Sequence, residues 1–132
     1  MQKTTYPLHP AQRDIYVDQL INTESPHYNI GGFIKLKGFL NKEKFHEAVN
    51  SAAKVFDAFK MRFDLDAKDP LCYADNDHEI LELTELDFSV GENPEEEARN
   101  WMQSRFNTHF LIKIDSLLFE HSLLTISGDE HW

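Results

Sequence analysis

The sequence is poor in cysteine, in basic charge and in long apolar runs, and each shortage excludes something. Among its 132 residues there is a single cysteine, Cys72, so no internal disulfide can form. A lone Cys fits a reducing compartment. It lies in Leu71-Cys72-Tyr73 with no basic cluster beside it, which predicts a buried, inert thiol rather than a nucleophile. Thirteen Lys and Arg against 23 Asp and Glu give a formal net charge of −10. That balance excludes nucleic acid as a partner and disfavours an anionic membrane surface, since both need clustered cations. No apolar stretch approaches the roughly 18 residues of a membrane span, and Met1 to Leu8 is too polar for a signal peptide. A cytoplasmic location is the expectation.

Chemical motifs are equally scarce. There is no G-x-S-x-G, no P-loop and no G-x-G-x-x-G in the chain. The seven histidines, His9, His27, His46, His78, His109, His121 and His131, form no H-x-x-x-H or H-E-x-x-H pair. They read as scattered surface residues, and no metal site is expected. Two acidic runs, Asp64/Asp66/Asp69 and Asp75/Asp77/Glu79, lack the sixth-position glycine and distal Glu of a calcium loop. They read as solvated turns.

What is present is a globular composition, 41% hydrophobic with ten Phe, four Tyr and two Trp. Pro10 to Ile21 reads as a helix with proline at its first position. Ala11, Ile15, Tyr16 and Leu20 form its apolar side. Tyr28 to Lys37 alternates at period two and reads as a strand, in which Gly31 and Gly32 mark a bulge or a close backbone approach. Asn41 caps a second helix whose stripe is Phe45, Ala48, Val49, Ala52 and Phe56. Phe59 to Asp64 is a short strand with Phe59, Met61 and Phe63 on one side and Lys60 and Arg62 on the other. Those two cations are either a solvent-facing strand edge or a cation held against a carboxylate elsewhere. Strands follow over Leu71–Ala74 and Glu79–Leu86.

Asn93-Pro94-Glu95-Glu96 opens a third helix that buries Ala98, Trp101, Met102 and Phe106. A last strand, Leu117 to Ile126, is apolar enough to be buried on both faces. A turn at 127–130 leads into another strand at His131-Trp132. The expected fold is α+β, a mixed sheet with helices packed on it.

Taken in order, several segments resemble the condensation domain of nonribosomal peptide synthetases. Tyr6-Pro7-Leu8-His9-Pro10-Ala11-Gln12-Arg13-Asp14-Ile15-Tyr16 is similar to its opening motif. Ser25-Pro26-His27-Tyr28-Asn29-Ile30 and Leu36-Lys37-Gly38-Phe39-Leu40-Asn41 resemble the segments around its first strand. Phe56-Asp57-Ala58-Phe59-Lys60-Met61-Arg62-Phe63 resembles its second core motif. Ile114-Asp115-Ser116-Leu117-Leu118-Phe119 is similar to the approach to its active-site strand. The Met-Arg-Phe ending and His131-Trp132 look most like modules of the siderophore-synthetase kind.

The resemblance implies the amino-terminal lobe, residues 1–132, of a chloramphenicol-acetyltransferase-like fold. In that family two lobes form a V, and phosphopantetheine-tethered substrates enter the tunnel between them from carrier domains. No bound cofactor is implied. Gln12, Tyr16, Lys60 and Arg62 become structural or tunnel-lining candidates. Val55 and Phe56 stand where the family usually has Arg and His, and Met61 where it often has Thr. Lys60 stands where it usually has an Arg that pairs with the active-site Asp. A Lys keeps that charge without the bidentate geometry.

The family's H-H-x-x-x-D-G motif is expected shortly after Trp132, so no catalytic residue is assigned and the chain alone is expected to be inactive. It should expose apolar surface meant for the missing carboxy-terminal lobe, and either bind that lobe or self-associate. The competing reading is a free-standing α+β binding module. A coding sequence that continues into the motif would separate the two. A small hydrolase using one of the histidines is the remaining alternative, and inertness toward esters would dispose of it.

Overall fold

A computed structural model describes residues 4–65, 69–76, 82–113 and 116–132. Two sheets and three helices make the α+β architecture anticipated. Strand β1 (Thr5–Pro7) is followed by α1 (Pro10–Ile21), β2 (Leu36–Lys37) and α2 (Lys42–Val55). A 3₁₀ turn (Asp57–Lys60) leads into β3 (Met61–Asp64), then β4 (Leu71–Ala74), β5 (Thr84–Asp87), α3 (Pro94–Phe106), β6 (Ser122–Ser127) and β7 (Glu130–His131). One antiparallel sheet runs β1-β4-β3. The other runs β2-β7-β6-β5 and is mixed, because β5 pairs parallel to β6.

The helices begin where their capping residues place them. His9 caps α1 in a reciprocal box: its imidazole accepts from Ala11 N–H, and Gln12 Oε1 accepts from His9 N–H at 2.8 Å. Asn41 Oδ1 accepts from Lys44 N–H at 2.9 Å at the start of α2. Asn93 does not cap α3 through its side chain. Glu97 instead reaches back to accept from Asn93 N–H at 3.3 Å. Its carboxylate lies against Gly91 so closely that a Cβ there would collide with it.

Three strand expectations need correction. Only Leu36–Lys37 of the Tyr28–Lys37 segment is strand. The earlier residues are tied to α3 instead: Asn29 Nδ2 donates to Phe106 O and Thr108 O at 2.7 and 2.8 Å. A Cβ on Gly31 would meet Phe106 at 3.0 Å, so the close approach read from the glycines is real and its partner is a helix. Phe59 and Lys60 belong to the 3₁₀ turn, closed by Phe59 N–H donating to Phe56 O at 3.1 Å. The last long strand starts at Ser122 rather than Leu117. Just before it, Glu120 is drawn off by Arg105 of α3 in a bidentate pair, at 2.9 and 2.6 Å. Of the expected Glu79–Leu86 strand, residues 79–81 lie outside the described residues, 82–83 are not strand, and β5 runs Thr84–Asp87.

Two helices turn inward only part of the apolar side expected of them. In α1, Tyr16 of that side is half-buried, but Ile15 and Leu20 are 42% and 56% exposed and Gln12 from the polar side is half-buried instead. In α2, Ala48, Ala52 and Phe56 are exposed, and Phe45, His46, Val49, Asn50 and Ala53 face the protein. Only α3 buries much of its expected face: Ala98 is fully buried and Trp101 and Met102 half-buried, though Phe106 remains largely exposed.

The registers explain why. Leu86, Leu124 and Trp132 align across β5, β6 and the end of β7 and, with Phe88 and Ile126, meet Ala98, Trp101 and Met102 of α3. The opposite face carries Glu85, Asp87, Leu123, Thr125 and His131. It lies toward α2, whose Lys42 reaches Glu85 at 3.6 Å. Strand β6 is thus buried on both faces, but only one of them is dry.

Candidate functional site

Period-two alternation placed Lys60 and Arg62 together, and the 3₁₀ turn separates them. Arg62 lies in β3 opposite Tyr73 of β4 and is only 2% exposed. Its Nη1 donates to Met61 O at 3.2 Å, and its Nε sits 4.0 Å from Asp75 Oδ2. The buried-cation alternative therefore holds for Arg62. Lys60 is half-buried at the end of the turn, 3.2 Å from Asp57 Oδ1, and donates to Asn76 Oδ1 at 3.2 Å. Its carbonyl accepts from Asp75 N–H at 2.9 Å. Both cations therefore converge on the Asp75-Asn76 turn, Arg62 fully buried and Lys60 half-buried.

Gln12 joins this ridge from α1. Its Nε2 donates to Met61 Sδ at 3.7 Å, between the two cations in sequence. Tyr16 is half-buried one helical turn further along. Of the four candidates, Gln12, Lys60 and Arg62 are brought into one neighbourhood through β3, and Tyr16 flanks it.

The nearby cleft between β1 and α1, lined by Pro7, Leu8, Arg13, Asp69 and Pro70, holds only about 50 Å³. Small-molecule sites occupy roughly 300 Å³ or more, so this cleft is a packing defect. Asp75 meets Arg62 rather than a cation site, and no cluster of three or more metal-ligating side chains occurs among the described residues. Asp66, Asp77 and Glu79 of the acidic runs, and His78, lie outside the described residues. Cys72 is free and buried, as its surroundings foretold.

Two functional-looking groups escaped sequence reasoning. The first centres on Trp132, 5% exposed. Lys35 Nζ stands 4.5 Å from its ring, Arg99 4.9 Å, and Phe33 packs at 4.8 Å. Its indole N–H donates to Glu130 at 2.7 Å, which with nearby Lys35 holds that carboxylate below its usual range. The stack clamps the chain before β2 onto α3 and β7. The second is a set of histidines on the α2 side of the sheet. His131 is buried, and His46 and His121 are half-buried, so the surface reading fails for these three. Nothing in their sequence spacing links them: His46 lies on α2, His121 just before β6, and His131 on β7, where register sets it beside Thr125.

Among the described residues no helix is long and apolar enough to cross a membrane. The Condensation domain family model matches residues 2–132. The dimodular nonribosomal peptide synthase of Bacillus subtilis (strain 168) is 29% identical over 99 residues, covering 75% of this chain and 4% of that protein. Surfactin synthase subunit 1 of the same organism is 29% identical over 131 residues, 98% of this chain and 3% of its own length. The starter condensation domain of rhizomide synthetase superposes with a TM-score of 0.86 at 22% identity, covering 97% of this chain and 32% of that one. The first condensation domain of the calcium-dependent antibiotic synthetase gives 0.80 at 23% identity, with 97% and 32% covered. The fold is thus one those domains share, and the chain spans a small part of the relatives it matches.

Proposed function

The chain belongs to the condensation-domain family, and from that premise we propose that residues 1–132 form the amino-terminal lobe of an amide-forming domain in a nonribosomal peptide synthetase. The observation that carries this reading is the unbroken family match from the first residues to the last described strand. In this reading a carboxy-terminal lobe closes the tunnel. Carrier domains bring a donor acyl group and an acceptor amine into it on phosphopantetheine arms, and the acyl group passes to the amine. The tethered arms are substrates. Cytoplasmic location belongs to the same reading. Within the family, the Met61-Arg62-Phe63 ending and the His131-Trp132 pair favour a parent of the siderophore-synthetase kind.

The chain's own share is frame and tunnel wall. Gln12 and Tyr16 contribute from α1, and Lys60 and Arg62 from the ridge around β3. The sequence has no H-H-x-x-x-D-G motif to position an attacking amine. In isolation it should therefore form no amide from loaded carrier proteins, with product read by mass spectrometry. Continued into the remaining lobe of a condensation domain, it should do so. Amide formation by the chain alone overturns the frame role. A folded, continued chain that accepts both loaded carriers and joins nothing overturns the family activity for this protein.

A further inference from the structure

Two segments that read as strands from the sequence keep strand alternation beyond the ends of their ladders, β2 at Leu36 and β6 at Ser122. From 31 to 35, odd-numbered residues turn to the α3 side of the sheet. A Cβ on Gly31 would meet Phe106 at 3.0 Å, Phe33 packs on Trp132 at 4.8 Å, and Lys35 Nζ stands 4.5 Å from the same ring. Their even-numbered neighbours Ile30 and Ile34 turn away, 99% and 76% exposed. From 119 to 121 the same alternation holds. Glu120 pairs with Arg105 of α3, while Phe119 and His121 stack on each other with centroids 6.2 Å apart. Side chains two positions apart share a face where the backbone is extended.

Register sets both segments along one line, that of β7, which runs antiparallel between β2 and β6. Leu124 and Trp132 exchange both backbone hydrogen bonds, at 2.9 and 2.8 Å. The odd-numbered carbonyls of β6 face β5 instead: His121 O accepts from Thr84 N–H at 3.4 Å and Thr125 O from Phe88 N–H at 2.9 Å. Ser122 is therefore the next residue of β6 to turn its N–H and C=O toward the line of β7. On the other side, Gly38 N–H donates to Asp129 O at 2.7 Å and Leu36 lies opposite His131. Ile34 is the next residue there to turn both groups the same way. Carried past Trp132, the line meets Ile34 at its first position and Ser122 at its second. Trp132 is bonded to Leu124 through both its N–H and its C=O, which fixes the direction in which the backbone leaves it.

We propose that the four-stranded sheet accepts one further extended segment on this line, a strand of about six residues running on from Trp132. It exchanges backbone hydrogen bonds with Ile34 on one side and Ser122 on the other. Its pairing would turn the Tyr28–Lys37 and Leu117–Ile126 segments into the full strands that their period-two pattern calls for. Charged groups beside the line are already engaged, Lys35 with Glu95 and Glu130, and Glu120 with Arg105. The remaining neighbours are Phe33, Ile34, His121 and Leu123, so an uncharged, β-branched strand suits the position. An edge of this kind, with backbone groups aimed at one line from both sides, is a template for strand addition. The inference rests on register and side-chain alternation alone, so it stands or falls separately from amide formation.

Residue-resolved hydrogen exchange by NMR tests it on the chain as it stands and on the chain prolonged after Trp132 by Val-Thr-Val-Thr-Val-Thr. Amides of Ile34 and Ser122 should exchange about tenfold more slowly in the prolonged chain, the scale of a net backbone hydrogen bond. The Lys35 amide, turned to the outer edge, should not change, and prolongation by Gly-Ser-Gly-Ser-Gly-Ser should protect neither residue. Unchanged exchange at Ile34 and Ser122, or equal slowing at Lys35, overturns the added strand. Loss of α3 protection on prolongation also overturns it, because the strand would then not fit the fold. The free Val-Thr peptide giving the same protection to the unprolonged chain overturns the in-line strand in favour of a separate one. Protection of Ile34 and Ser122 that grows with the concentration of the unprolonged chain overturns it in favour of a second copy.

Discussion

The two faces of the four-stranded sheet solve the same packing problem differently. Toward α3, Leu124, Ile126 and Trp132 close on Ala98 with Leu86, Phe88, Trp101 and Met102 around them. Toward α2, Leu123 is flanked by Thr125 and His131, and the helix presents His46 and Asn50 beside Phe45 and Val49. One face is held by close-packed apolar volume, which resists small changes. The other leaves Thr125 and His131 side-chain atoms without a partner among the described residues, which weakens it. The difference makes the α3 face the firmer of the two.

The largest test of that contrast is Leu124→Ala. Leu124 is 2% exposed in the dry face, so its truncation should cost about 3 kcal/mol from lost transfer energy and residual cavity. Urea unfolding followed by Trp fluorescence would measure it. A cost below about 1 kcal/mol, too little for a buried leucine, would mean the α3 face is not the anchor. Gly91→Ala comes next. Its methyl would push aside the far end of the flexible Glu97 side chain that reaches back to Asn93 N–H, so the cost should be that of the lost hydrogen bond, about 0.5–1.5 kcal/mol. In a Glu97→Ala background, where that bond is already gone, Gly91→Ala should cost nothing further.

What the sequence made legible follows the same divide. Helix α1 stands at its anticipated bounds and α2 starts after its anticipated Asn cap, because capping is written locally in His9-Pro10 and Asn41. Ala98 and Leu124 were legible because apolar periodicity and burial agree on that side. The inward face of α2 was legible only in Phe45 and Val49. The rest of its expected stripe, Ala48, Ala52 and Phe56, follows hydrophobicity, and the surface the helix meets is partly polar. The Tyr28–Lys37 strand failed for a related reason: Asn29 satisfies carbonyls at the end of α3, a contact between residues 77 and 79 positions apart. At the candidate site, the charge of Lys60 and Arg62 was readable. Their different partners and degrees of burial were not, since the 3₁₀ turn breaks the period between them.

Thr125→Val separates the faces by sign. The hydroxyl is buried without a partner among the described residues, and its valine isostere fills nearly the same space. Removing it should stabilise the chain by up to about 1 kcal/mol, since an unsatisfied buried polar group is a net penalty. Clear destabilisation in the same urea experiment would show that the hydroxyl has a partner and that the α2 face is better satisfied than its geometry indicates.

The smallest expected effect concerns how α2 is held at all. Lys42 and Glu85 meet at 3.6 Å with side chains 39% and 45% exposed. An exposed pair of this kind contributes about 0.2–1 kcal/mol. A double-mutant cycle of Lys42→Ala and Glu85→Ala should place the coupling at the low end of that range, and added salt should screen it further. A coupling above about 1 kcal/mol that survives high salt would exceed what an exposed pair supplies. The helix would then be pinned by charge at its first turn.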